Sequence, residues 1–139
     1  MADFKDRVEA ELENIEQVLS RLPKSSSLPN LSELELAGVA ALIHSFYNGI
    51  ENILKQAVRE KKLSIPQGSL WHRDLIELAF AHKIISSRTT ESLKEYLAFR
   101  HFFSHAYAFE IDPYRITSLV ENAKTVKKNF LTDIMRFSK

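Results

Sequence analysis

The sequence predicts an all-α, up-and-down bundle of about five helices built around one long central helix. Three observations predict it. Glycine and proline are scarce, three and four in 139 residues, and the prolines fall between periodic segments. Apolar residues recur at spacings of three and four along five stretches, the period of a helix with one buried face. One stretch runs for about 30 residues without a proline, roughly 45 Å at 1.5 Å per residue.

The first helix is expected from about Asp3 to Leu22, with Phe4, Val8, Leu12, Ile15, Leu19 and Leu22 on its apolar face. Pro23 ends it, and Lys24–Asn30 reads as a loop. Ser32 followed by Glu35 matches a capping box and opens the long second helix, which continues to about Lys62. Leu36, Val39, Ile43, Phe46, Ile50, Ile53, Ala57 and Val58 form its stripe. Gly49 inside it costs up to about 1 kcal/mol of helix propensity, so a closely packed neighbour is expected there. After a loop at Ser64–Leu70, a third helix spans about Trp71 to Ile85, with Leu75, Leu78 and Ala79 inward. Thr89 or Thr90 is expected to cap a fourth, running to about Tyr107. Asp112-Pro113 opens the fifth as N-cap and first helical residue. Its Ile116, Leu119, Val120, Ala123, Val126, Phe130 and Ile134 face the core.

A chain of this length suits a single domain over 1–139, able to bury about two-thirds of its unfolded surface. The absence of cysteine excludes disulfides, thiolate metal sites and a cysteine nucleophile. No apolar run is long enough to span a bilayer. The acidic, amphipathic start MADFKDRVEAELE is unlike a signal peptide, so a soluble, cytoplasmic protein is expected. The net charge of +1 excludes nucleic-acid binding by bulk charge alone. Charge is nevertheless polarised. Residues 1–22 carry three basic and six acidic side chains, and residues 115–139 six basic and two acidic.

The chemistry concentrates in Phe99–Phe109, FRHFFSHAYAF, which holds two of the five histidines and four of the nine phenylalanines. On a helix, Ser104 and Tyr107 project within about 40° of Arg100, and His101 and His105 form an i, i+4 pair. Phe102, Phe103 and Phe109 are suited to anchoring the segment. Two histidines at this spacing can bind one face of a zinc ion, but no third ligand or H-E-x-x-H motif accompanies them. Ser104 lacks the G-x-S-x-G elbow of a serine hydrolase. What the side chains fit is phosphodiester chemistry without a metal. Histidine exchanges protons near neutrality, and arginine grips phosphate oxygens with a permanently charged fork. RNA supplies its own nucleophile in the 2′-hydroxyl. One His105 cannot readily stand on both sides of a phosphate, whereas a two-fold dimer supplies two.

Arg100, His105 and Tyr107 read R-x4-H-x-Y, which resembles the HEPN toxins of bacterial and archaeal toxin–antitoxin pairs. His101 falls in the slot after the arginine where that class carries a polar residue. Phe46–Lys55, FYNGIENILK, is similar to the family's equivalent long helix. The resemblance in helix layout covers nearly the whole chain, and the motif covers eight residues. It implies a helical bundle that forms a homodimer with two motifs facing across a cleft. It implies a metal-independent ribonuclease toxin of a type VII-like system, needing no cofactor, with Arg100 and His105 catalytic and His101 and Ser104 in support. It further implies a cognate MNT-type nucleotidyltransferase antitoxin that adenylylates Tyr107. The added phosphodiester and nucleotide would bring negative charge and bulk beside Arg100. An ideal helix sets Tyr107 within about 20° of Arg100, but Arg100 and His105 about 140° apart. Either the helix is distorted there, or the arginine of one chain works with the histidine of the other.

A rival reading of the same helix is a non-catalytic subunit that docks a nucleotidyltransferase or presents substrate to it. Trp71-His72-Arg73-Asp74 suits either a functional cluster or a plain helix start with Trp71 on the core. Glu51 and Asn52 suit either a cleft or ordinary polar burial. The residues do not name the RNA.

Overall fold

A computed structural model describes residues 3–107 and 110–139. Five α-helices follow in order: α1 Asp3–Ser20, α2 Glu33–Glu60, α3 Trp71–Ala81, α4 Ser87–His105 and α5 Pro113–Phe137. No strand occurs among the described residues. α2 is the centre of the bundle, packing against α1, α3, α4 and α5. Its 28 residues give it a length of about 42 Å. Every position of its predicted stripe is buried. Gly49 has the expected close neighbour: a Cβ there would lie 2.6 Å from Ile15 Cγ1 of α1. The missing side chain lets α1 lie against the spine.

The helix starts follow local chemistry. The Ser32 side chain accepts from the Glu35 backbone N–H while Glu35 accepts from the Ser32 backbone, closing the capping box. Asp112 accepts from Tyr114 N–H, with Pro113 at the first helical position. α4 begins earlier than its sequence suggests. Ser86, rather than Thr89 or Thr90, is the N-cap, accepting from Thr89 N–H. Asp133 of α5 accepts from the Ser86 backbone N–H at 2.9 Å, which fastens this start to the neighbouring helix. The predicted loop at 24–30 contains a 3₁₀ helix, Ser25–Asn30, whose Leu28 is buried and which packs on α5.

Two helix ends share one device. At the end of α2, Lys62 N–H bonds Arg59 C=O and Leu63 N–H bonds Val58 C=O. At the end of α3, Lys83 N–H bonds Phe80 C=O and Ile84 N–H bonds Ala79 C=O. Both are Schellman closures, with a lysine at φ 60° where glycine is usual. The second ends α3 at Ala81, short of the expected Ile85. Ile84 and Ile85 remain in the core from outside the helix.

α5 buries all seven predicted core residues. Tyr96 of α4 reaches it from inside the core, its hydroxyl donating to Leu119 C=O at 2.6 Å. Burial holds that phenol well above its usual pKa. α4 is therefore fixed at its start and middle, and its last two turns carry the R-x4-H segment.

Candidate functional site

α4 is a regular helix through His105. Ala106 then turns extended, with φ −89° and ψ 150°. Tyr107 therefore lies outside the helix, and its expected projection over Arg100 is overturned. Beyond α4, Glu110 N–H bonds Tyr107 C=O and the Glu110 carboxylate accepts from Tyr107 N–H. The Tyr107 side chain is 69% exposed. Phe109 lies outside the described residues. Phe102 and Phe103 are half-buried anchors against the core. Phe102 carries the Arg115 guanidinium 4.0 Å above its ring.

The regular helix keeps Arg100 and His105 on different faces. His101 and His105 are exposed and touch edge to face, ring centroids 5.0 Å apart. The Ser104 hydroxyl donates to Arg100 C=O at 2.9 Å and is thereby turned toward its own backbone. Arg100 points inward instead. It is half-buried, and its Nε is enclosed without a protein hydrogen-bond partner.

Arg100 meets a polar seam on α2 that sequence reasoning found only in part. His44, Tyr47 and Glu51 stand at i, i+3 and i+7, on one face of the spine. The Glu51 carboxylate, 4% exposed, accepts from His72 Nδ1–H of α3 at 2.6 Å. That contact resolves the open reading of Glu51 and His72: a buried carboxylate and a half-buried imidazole form a pair joining α2 to α3. Trp71 also packs on the core, stacked on His72 at 3.6 Å with Lys55 4.4 Å from its centroid. Asn52 donates to Glu11 of α1 at 3.4 Å. His44 and Tyr47 were not singled out from the sequence. The signal available was their spacing with Glu51, a polar line along an otherwise apolar helix.

The seam has consistent electrostatics. Burial, and then the Arg100 cation, hold His44 below its ordinary pKa of 6.5, while Glu51 acts weakly the other way. Its Nδ1 is buried without a protein partner, and Phe103 packs on its ring at 5.3 Å. Burial, and then the Glu51 carboxylate, drive the Tyr47 phenol far above its usual range. His44 and Tyr47 are thus both neutral near pH 7, beside one guanidinium and one carboxylate.

A stability prediction follows from the sign of the His44 shift. The folded state binds this proton less readily than the unfolded chain, so the contribution is fully present above 6.5 and is lost as pH falls through the lower native value. Urea unfolding at pH 7.5 and pH 5 should show a smaller acid loss in His44→Leu than in the parent. An equal loss in both would remove His44 as the cause.

Arg100, His101 and His72 also share the wall of a cavity of about 840 Å³ between α3 and α4. Among the described residues no group of three or more His, Asp or Glu is placed to hold a metal ion. No helix among them is long and apolar enough to cross a membrane.

Among the described residues the protein is a strandless bundle whose late helix sets Arg100, but not His105, against the polar face of a long central helix, an arrangement similar to the HEPN type. A family model described as HepT-like protein matches residues 38–139. The chain belongs to that family. No curated protein and no solved structure matches it. The family points to a toxin of the toxin–antitoxin kind.

Proposed function

We propose that this protein is a homodimeric, metal-independent ribonuclease toxin in which Arg100 of one chain and His105 of the other act on one RNA phosphate. The observation that carries this reading is the division of the motif. Arg100 is held from behind by α2, while His105 stands exposed at the end of a regular α4. Within one chain the two face different ways, and a two-fold axis near the end of α4 would bring each against its counterpart. Arg100 then binds the phosphate oxygens where charge accumulates. His105 takes the proton of the 2′-hydroxyl, which attacks the adjacent phosphorus, and the departing 5′-oxygen takes a proton from water. The products are a 2′,3′-cyclic phosphate and a 5′-hydroxyl. His101, in edge contact with His105, supports its orientation. The protein should therefore cut RNA in EDTA, and a chain that binds RNA without cutting it would favour the accessory-subunit reading.

The regulatory half of the proposal is adenylylation of Tyr107 by an MNT-type nucleotidyltransferase antitoxin working in the cytoplasm. The tyrosine hydroxyl attacks the α-phosphorus of ATP, pyrophosphate leaves, and the phenolic proton passes to solvent or a base of the transferase. Tyr107 is exposed, two residues beyond His105. Co-expression with the product of the neighbouring gene should add mass in AMP steps, visible by intact-mass spectrometry, and none in Tyr107→Phe. Equal addition to both would place the modification elsewhere.

A further inference from the structure

The cavity beside Arg100 has walls that the cleavage proposal does not use. Trp71, His72 and Arg73 come from the first turn of α3, and Lys94, Arg100 and His101 from the outer side of α4. Gly68, Ser69 and Leu70 close one end, and Leu97 and Ala98 give the floor apolar patches. No carboxylate lines it, although the chain has 18 acidic residues. Lys94 is held by the exposed Glu77 at 2.8 Å, and Arg73 stands 4.0 Å from Asp74. Exposed pairs of this kind are weak and give way to a better anion.

Trp71 is shared with a second cavity of about 300 Å³ lined by Lys55 and Arg59, again without a carboxylate. The two cavities adjoin through Trp71 and Gly68. Cationic side chains thus run from Arg59 and Lys55 past the indole to Arg73, Lys94 and Arg100. A track of cations interleaved with aromatic rings, ending on the motif arginine, fits a chain of phosphates carrying flat bases. His72 has its Nδ1 engaged by Glu51 and keeps 18% of its side chain exposed on the same wall. It is fixed in orientation from behind and offers its other edge to the groove.

We propose that the groove between the start of α3 and the middle of α4 binds single-stranded RNA next to the phosphate that is cut. Arg73 and Lys94 hold the backbone of the flanking nucleotides, and the rings of Trp71 and His72 lie against their bases. The inference rests on the ribonuclease reading and names where the strand lies on each protomer. An acidic segment of a protein is the competing occupant. The aromatic pair at the junction of the cavities favours the nucleic acid, because acidic side chains have no flat apolar face to place there.

Trp71 is the single tryptophan of the chain, so its fluorescence reports this groove alone. The full-length protein is titrated in EDTA with a short, fully 2′-O-methylated oligoribonucleotide, which cannot be cut because its 2′-oxygen is blocked. A saturable change in emission that weakens with added salt is expected. Arg73→Ala combined with Lys94→Ala should weaken it about tenfold with unchanged circular dichroism, since the Arg73 side chain is exposed and that of Lys94 lies partly in solvent, both outside the core. A labelled strand that binds by anisotropy while Trp71 stays silent would overturn the proposal. So would displacement by poly-glutamate of matched charge, which would assign the groove to an acidic protein. Cleavage of the unmethylated strand is scored separately. A strand seated at Trp71 but never cut leaves the groove standing and removes the ribonuclease reading. Cutting with a silent tryptophan does the reverse.

Discussion

Arg100→Ala and His105→Ala, each inactive when pure, should regain activity when mixed. Removing a proton-transfer group of this kind costs about 10²–10⁴ in rate. Removing the guanidinium that meets the developing charge costs about 10²–10³. If each site joins the arginine of one protomer to the histidine of its partner, a heterodimer of the two variants holds one intact site and one doubly damaged site. Random exchange makes about half of all dimers mixed, each with one site of two, so recovery should approach about a quarter of the parental rate. No recovery after demonstrated exchange would place the working pair within one chain. The geometry argues against that outcome, because α4 is regular through His105 while Arg100 turns toward α2. Wild-type helical content in both variants is the control. His105 is exposed, so its removal leaves the core untouched. Arg100 is half-buried, and its variant will lose some stability through the packed stem of the side chain.

Glu51→Ala should produce the largest stability loss among the polar residues of the seam, about 2 kcal/mol, the range for leaving a hydrogen-bond partner in the protein interior unsatisfied. The carboxylate is 4% exposed and accepts from His72 at 2.6 Å, so its loss strips α2 of its polar link to α3. It also leaves His44 without the carboxylate that acts on it from α2. Part of the cost is the volume deleted from a packed position. Glu51→Gln separates the two contributions. It keeps the shape and an oxygen able to accept from His72, and should retain more than half of the lost stability. Chemical denaturation of the three proteins at one pH makes the comparison. An alanine variant within about 0.5 kcal/mol of the parent would show that the pair is a solvated surface contact.

Most of the bundle could be read from the chain because helix formation and core burial follow one period. Leu36 to Val58 and Ile116 to Ile134 recur every three or four residues, and all of them are buried. Ser32 with Glu35 and Asp112 with Pro113 were legible because their capping depends on residues three or fewer positions away. The helix ends were less legible. A left-handed closing residue is signalled by glycine, and here lysine occupies it at 62 and 83, so α3 seemed to continue through Ile85. In Ser86-Ser87-Arg88-Thr89-Thr90 several side chains can cap, and Asp133, 47 residues away, selects Ser86. Thr90 instead returns its hydroxyl to the Ser86 carbonyl.

The site divides the same way. The R-x4-H spacing is local and was visible, and so was the i, i+4 contact of His101 and His105. That Arg100 faces inward depends on His44, Tyr47 and Glu51, more than 45 residues earlier, and on nothing in the motif. The pairing of Glu51 with His72 joins two helices across a loop and leaves no local trace. Tyr107 was misplaced because helix periodicity was carried two residues past His105, where the backbone had already turned.

The end of α4 at His105 has a consequence for the proposed modification of Tyr107. A transferase that modifies a side chain must seat the backbone on either side of it, and a helix denies that access, since its N–H and C=O groups are already engaged and unwinding even one turn breaks several hydrogen bonds. At Tyr107 the α-helical ladder has stopped, Ala106 is extended, and the backbone N–H and C=O bond Glu110 instead of a helical turn that would have to unwind. The acceptor therefore comes on a short segment that a second active site can take hold of while the helix behind it stays folded. On the proposed reading, the attachment point stands beside a fixed helix end and can be reached without unfolding α4.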